Sequence, residues 1–228
     1  MKSTFILFFL VGLLNITAYS QNKTYNSSKD SDAKSQAILK KLQAFYNNNA
    51  RQITSSFQLK IDLPDQNTRI EKGTIIQSGT KFNLKVKEMT IINNGKALWM
   101  INKTNKEIQI NDYSPGNTGG TFNPTDVIRM YNPSKFVSVC TFDGKQGNSM
   151  VQIVEIKPLD KNADYAKARI TVNKSNTRLT KIELFNKDGS KYYLTISGTT
   201  ISNKPVPSNF VFNAANYPKY HIEDLRVN

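Results

Sequence analysis

Ile53-Thr54-Ser55-Ser56-Phe57-Gln58-Leu59-Lys60-Ile61-Asp62-Leu63 decides the fold. Ile53, Phe57, Leu59, Ile61 and Leu63 alternate with Thr54, Ser56, Gln58, Lys60 and Asp62. Successive side chains of a strand point to opposite faces, so a period of two gives one apolar and one wet face, as in a half-buried antiparallel strand. Arg69–Gln77 and Lys81–Lys87 repeat the theme, with Phe82, Leu84 and Val86 on one side. Asn94-Gly95 separates Thr90–Ile92 from Ala97–Ile101 and predicts a type I′ hairpin turn. Ile108 and Ile110 continue the meander.

Upstream the period is helical. Ile38, Leu39, Leu42, Phe45 and Tyr46 form one apolar stripe over Asp32–Tyr46, with Ser31 or Asp32 as cap and Asn47-Asn48-Asn49 as stop. Residues 114–121 (SPGNTGGT) read as a mobile surface loop, and Pro124–Tyr131 as a short helix with Pro in its first turn. Downstream, Phe136–Phe142, Met150–Ile156, Ala168–Val172, Leu179–Phe185, Tyr192–Ile196 and Asn209–Phe212 are strand candidates. Asp143-Gly144 and Asp188-Gly189 are turn signals. The expectation is a mainly β fold with a few helices: one curved antiparallel sheet, an unclosed half β-barrel, with helices covering its concave side.

Residues 1–20 read as a signal peptide. Lys2 is basic, Phe5–Leu14 is an apolar run too short to span a bilayer, and Ala18-Tyr19-Ser20 has small residues at the cleavage positions. The alternative is an uncleaved N-terminal anchor. No Cys follows the apolar run, which argues against a lipid-anchored product. Residues 21–31 are polar and read as a disordered leader, leaving 32–228 as the working domain of an exported, periplasmic protein.

The chain of 228 residues carries one cysteine and one histidine. One cysteine allows no internal disulfide; Cys140, among Val137, Val139 and Phe142, reads as a buried, inert thiol. A Ser–His or Cys–His pair would have to use His221, near the end of the chain. No Gly-x-Ser-x-Gly elbow occurs, and a histidine-rich or thiolate metal site is out of reach. The reading is therefore a binding protein with no catalytic residues, no metal and no cofactor. A net charge of +14 points to an anionic partner. The cations are mostly lysines alternating with apolar residues (Lys81, Lys85, Lys87), a solvated strand face rather than base readout, so no nucleic acid is expected.

The order of motifs resembles the LolA family of outer-membrane lipoprotein carriers. The helix precedes Phe57-Gln58; Gly73 opens a strand; Lys81-Phe82-Asn83-Leu84 follows. Asn94-Gly95-Lys96-Ala97-Leu98-Trp99 resembles the family's Asp-Gly-Lys-x-Leu-Trp hairpin. Pro124, Asp188-Gly189, Phe210-Val211-Phe212 and the ending Tyr217-Pro218 to Asp224-Leu225-Arg226 keep the family's order. The resemblance implies an apolar cavity for lipoprotein acyl chains, with Phe57, Leu59, Phe82, Leu84, Trp99 and Ile101 on the sheet side and Ile38, Leu42, Phe45 and Ile128 on a lid. It implies a monomer that takes acylated lipoproteins from an inner-membrane lipoprotein-releasing complex, with an outer-membrane acceptor as a further partner. The same residues suit an ordinary solid core, and another lipid or envelope component is an alternative ligand. One feature departs from the family: Ser78-Gly79-Thr80-Lys81-Phe82 lacks the Arg-Pro pair whose Arg latches the lid, and Lys81 offers charge without the forked geometry.

Overall fold

The computed structural model describes residues 27–113, 128 and 131–226. The expected signal peptide (residues 1–20), residues 114–121 and nearly all of the expected 124–131 helix lie outside them; Ile128 sits at a helical position. Helix α1 (Ala33–Tyr46) is followed by β1 (Gln52–Asp62), β2 (Arg69–Ser78), β3 (Lys81–Val86), β4 (Met89–Asn93), β5 (Ala97–Asn102) and β6 (Glu107–Asp112). Then come β7 (Phe136–Gln146), β8 (Ser149–Pro158), β9 (Tyr165–Asn173), β10 (Arg178–Asn186), β11 (Lys191–Ser202) and β12 (His221–Asp224). All twelve strands form one unclosed sheet in the order β12-β6-β5-β4-β3-β2-β1-β11-β10-β9-β8-β7. Two meanders meet at the β1–β11 pair, and among the described residues only β12 runs parallel to its neighbour, β6.

Strand parity sorts the apolar side chains into two layers. On one face Ile53, Phe57, Ile75, Phe82, Leu84, Ile91 and Leu98 join residues of β8–β11 and the α1 stripe in a single large cluster. On the other face of β4–β6, Ile92, Ala97, Ile101, Ile108 and Ile110 form a second cluster, against which Trp99, Phe212, Tyr217 and Tyr220 pack. The chain after β11 supplies this second layer. Trp99 stacks on Phe212 at 5.6 Å and Phe212 on Tyr217 at 5.7 Å. Gln52 accepts hydrogen bonds from Val206 N–H and Asn209 Nδ2, and Asn83 Nδ2 donates to Asn209 O.

Helix α1 is tied to the edge strand β7. Asp32, its N-cap, accepts from Ser35 N–H and, with its other oxygen, from Cys140 N–H at 2.7 Å. Asp32 N–H donates to Ser138 O, and Ser35 Oγ lies 2.8 Å from both Ser138 O and Ser138 Oγ. An edge strand leaves main-chain groups unpaired; here the helix start satisfies several of them. Lys34 and Lys174 both pair with Asp143 of β7, holding its carboxyl well below the usual range.

Several expectations are corrected. The leader's last residues belong to the fold: Ser28–Asp30 is a 3-10 turn with a capping box, and Ser31 Oγ accepts from Ser138 N–H. The turn at Asn94-Gly95 is not type I′, because only Gly95 has positive φ (93°). Asn94 Oδ1 instead accepts from Lys96 and Ala97 N–H, a side-chain-closed turn. Asp143-Gly144 lies within β7, opposite Gln152 and Val151, and the chain turns at Gly147 (φ 57°). Gly144 leaves room for the Phe142 ring, which an added Cβ would approach to 3.1 Å. Pro207–Phe210 is a 3-10 turn rather than a strand.

Candidate functional site

Between the end of α1 and the middle of the sheet lies a small pocket. Its walls come from Ser55 and Phe57 of β1, Ile75 and Gln77 of β2, Leu84 of β3, Leu179 of β10, Leu194 and Ile196 of β11, and Tyr46 of α1. Its free volume is about 10 Å³, room for about one water molecule.

Local sequence shapes these walls. Phe57 sits opposite Gly73, whose bare backbone accepts the ring; an added Cβ would come within 2.6 Å of Phe57 Cζ and 2.5 Å of Lys85 O. A bulge between Ser56 and Phe57 shifts the register against β11, placing Phe57 opposite Ile196. Ser55 Oγ bonds to Thr199 Oγ1 at 3.1 Å. Tyr46 OH accepts the buried Leu179 N–H at 3.2 Å, and burial pushes its own ionisation up to about 12. Gln77 is 1% exposed, yet no donor of the described residues reaches its Oε1. An unpaired buried amide oxygen costs about 1–3 kcal/mol, so its place between Ile53 and Phe82 is not one that packing alone favours.

Two of the sequence-derived sheet residues, Phe57 and Leu84, line the pocket. Phe82 is buried beside them in the large cluster, with Leu59 packed against it. Trp99 and Ile101 lie on the opposite face under the C-terminal segment; Leu98 and Met100 are the β5 residues that face the large cluster. Of the residues named for a lid, Ile38, Leu42 and Ile128 are in the large cluster and Phe45 packs against it, with Arg51 5.2 Å over its ring. Gln43 Nε2 donates to the carbonyls of Ile128 (3.1 Å) and Tyr131 (2.7 Å), joining α1 to that segment. Sequence reasoning missed Tyr46, Ser55, Ile75, Gln77, Leu179, Leu194 and Ile196 as pocket walls. Ile75, Leu179, Leu194 and Ile196 stand in strands whose inward face could be found from alternation, but not which neighbours they meet.

Other chemistry is sparse. Cys140 is half-buried, with its thiol ionisation pushed up chiefly by burial. His221 is exposed at the start of β12. Among the described residues no cluster of three His, Cys, Asp or Glu side chains could hold a metal, and no helix is long and apolar enough to cross a membrane.

The described strands form one unclosed sheet, with a small pocket walled mostly by apolar side chains between its face and a helix end. The chain belongs to the family of the outer membrane lipoprotein carrier protein LolA, whose model matches residues 48–213. No curated protein matches its sequence. Among solved structures, an uncharacterized conserved protein from Thermus thermophilus shares the fold, with a TM-score of 0.52 at 9% identity over 85% of this chain and 99% of that one. A LolA superfamily protein from Nitrosomonas europaea is 15% identical over 78% of this chain and 97% of its own, with a TM-score of 0.42. A domain from Vibrio parahaemolyticus assigned to outer-membrane lipoprotein sorting is 14% identical over 78% and 96%, with a TM-score of 0.46.

Proposed function

We propose that this protein, exported to the periplasm and freed of residues 1–20, carries lipoproteins from the inner to the outer membrane by sheltering their acyl chains between α1 and the sheet face. The observation that carries the reading is the pocket walled by Phe57, Ile75, Leu84, Leu194 and Ile196 under Tyr46, in a chain of the LolA family. Each methylene moved from water to such a wall is worth about 0.8 kcal/mol, so apolar contact alone can hold an acyl chain reversibly.

A free volume of about 10 Å³ admits no acyl chain, so loading requires the helix to shift. In place of the family's arginine latch, α1 is held by the Lys34–Asp143 ion pair and by hydrogen bonds: Asp32 and Ser35 to β7, Gln43 to Ile128 and Tyr131, and Tyr46 to Leu179. Ile38, Leu42 and Phe45 would then line the opened cavity from the lid side, with Phe57, Leu59, Phe82 and Leu84 across from them. An inner-membrane releasing complex would supply the energy for loading, and an outer-membrane acceptor would unload the carrier.

The same small volume favours a second reading, a non-catalytic envelope protein with a solid core. Native mass spectrometry of the protein from its own periplasm separates the two. A lipoprotein or diacyl-lipid adduct supports the carrier. A clean apo mass that persists after incubation with purified lipoprotein and its releasing complex supports the solid core.

A further inference from the structure

The pocket is polar at one end and apolar at the other. Along β1, Ile53 faces Gln77 of β2, then Ser55 faces Ile75, then Phe57 faces Ile196 of β11, then Leu59 faces Leu194. Polar lining is thus confined to the end where β1 begins and β2 finishes, and the walls beyond it are hydrocarbon. Two of the three polar side chains there have protein partners: Ser55 has Thr199, and Tyr46 has Leu179 N–H. Gln77 is the exception: it lines the pocket, and its Oε1 is buried without a donor among the described residues.

A carboxamide presents both an acceptor and donors, so the group that complements it is one that also accepts and donates. We propose that Gln77 is a polar anchor for the ligand. It pairs with the amide of an N-acyl chain, and the hydrocarbon runs past Phe57 and Leu84 toward Ile196 and Leu194. The anchor rests on the carrier reading and adds to it an orientation and a head-group class: acyl amides bind better than acyl esters of equal length, because the ester lacks the N–H that Oε1 requires. A site with a buried unpaired acceptor discriminates against a ligand that cannot fill it.

The test uses the full exported chain and two probes that differ in that head, N-methyldodecanamide and methyl dodecanoate, each competing with an apolar fluorescent dye. The wild type should prefer the amide by about three- to tenfold, the range of one neutral hydrogen bond. Gln77→Leu should bind both probes with equal affinity. Gln77→Met, which keeps the side-chain length, serves as a second variant should Leu disturb Phe82, and circular dichroism confirms that each is folded. Equal preference in wild type and variants, with both probes bound, overturns the anchor and leaves the carrier standing. Failure of both probes to displace the dye from every one of the proteins overturns the carrier reading and the anchor with it.

Discussion

Replacing Asp32 by Ala should loosen the helix from the sheet. Its carboxylate makes two backbone contacts, capping α1 at Ser35 N–H and holding the Cys140 N–H of the edge strand. Loss of the cap costs about 1 kcal/mol. Loss of a hydrogen bond from a backbone N–H to a carboxylate adds about 1.5–3 kcal/mol. Cys140 is half-exposed, so water takes over part of that bond and the total should fall near the lower end, about 2–3 kcal/mol. With a urea dependence of about 1–3 kcal/mol per molar, the midpoint should drop by about 1 M. Asp32→Asn retains one acceptor oxygen and should lose about half as much. Amide exchange at Cys140 and in the first turn of α1 should quicken in both variants. A midpoint for Asp32→Ala within error of wild type, with Cys140 exchange unchanged, would refute the view that this residue clamps the helix.

Gly73→Ala puts a methyl group where the Phe57 ring and Lys85 O already sit, so it should cost about 1–3 kcal/mol and shift the Phe57 ring resonances; unshifted resonances would show that the pocket wall does not depend on this contact. Tyr46 keeps its proton up to about pH 12, whereas an unfolded tyrosine loses it near 10. The folded state therefore binds more protons across that window, and its stability should fall by up to about 1.4 kcal/mol per pH unit as pH rises. Tyr46→Phe should remove that component of the alkaline loss while costing about 1 kcal/mol at neutral pH through the orphaned Leu179 N–H; an alkaline profile identical to wild type would contradict the assigned burial. Trp99→Ala should expose the chain after β11 to proteolysis by removing the platform for Phe212, yet leave acyl-probe affinity unchanged. A parallel loss of affinity would place Trp99 in the cavity after all.

Local pattern exposed much of this architecture. The helical stripe with its Asp32 cap and the alternation of β1–β3 carry their own periodicity, and their boundaries agree closely with the structure. Turn chemistry was less legible. Asp143-Gly144 looks like a hairpin tip, but the carboxylate is taken by Lys34 and Lys174 and the glycine by the Phe142 ring, so the strand runs on to Gln146. Phe210-Val211-Phe212 alternates like a strand, but Pro207 opens a 3-10 turn there. In β5 both faces are apolar, because each meets a different layer: Leu98 the large cluster, Trp99 and Ile101 the C-terminal segment. No local period distinguishes those layers. Gln77 carried no sequence signal either, since a glutamine near a strand end ordinarily faces water.

The central claim is that the face holding Phe57 and Leu84 takes up acyl chains when α1 moves aside. The most direct measurement is gel filtration of the protein after detergent removal in the presence of a fluorescent diacylated peptide, alongside a folded Leu84→Asp variant. Stoichiometric co-elution with the wild type and its loss in Leu84→Asp are the predicted results. Peptide that stays aggregated and never co-elutes with the wild type, or that binds the variant equally well, would contradict the account.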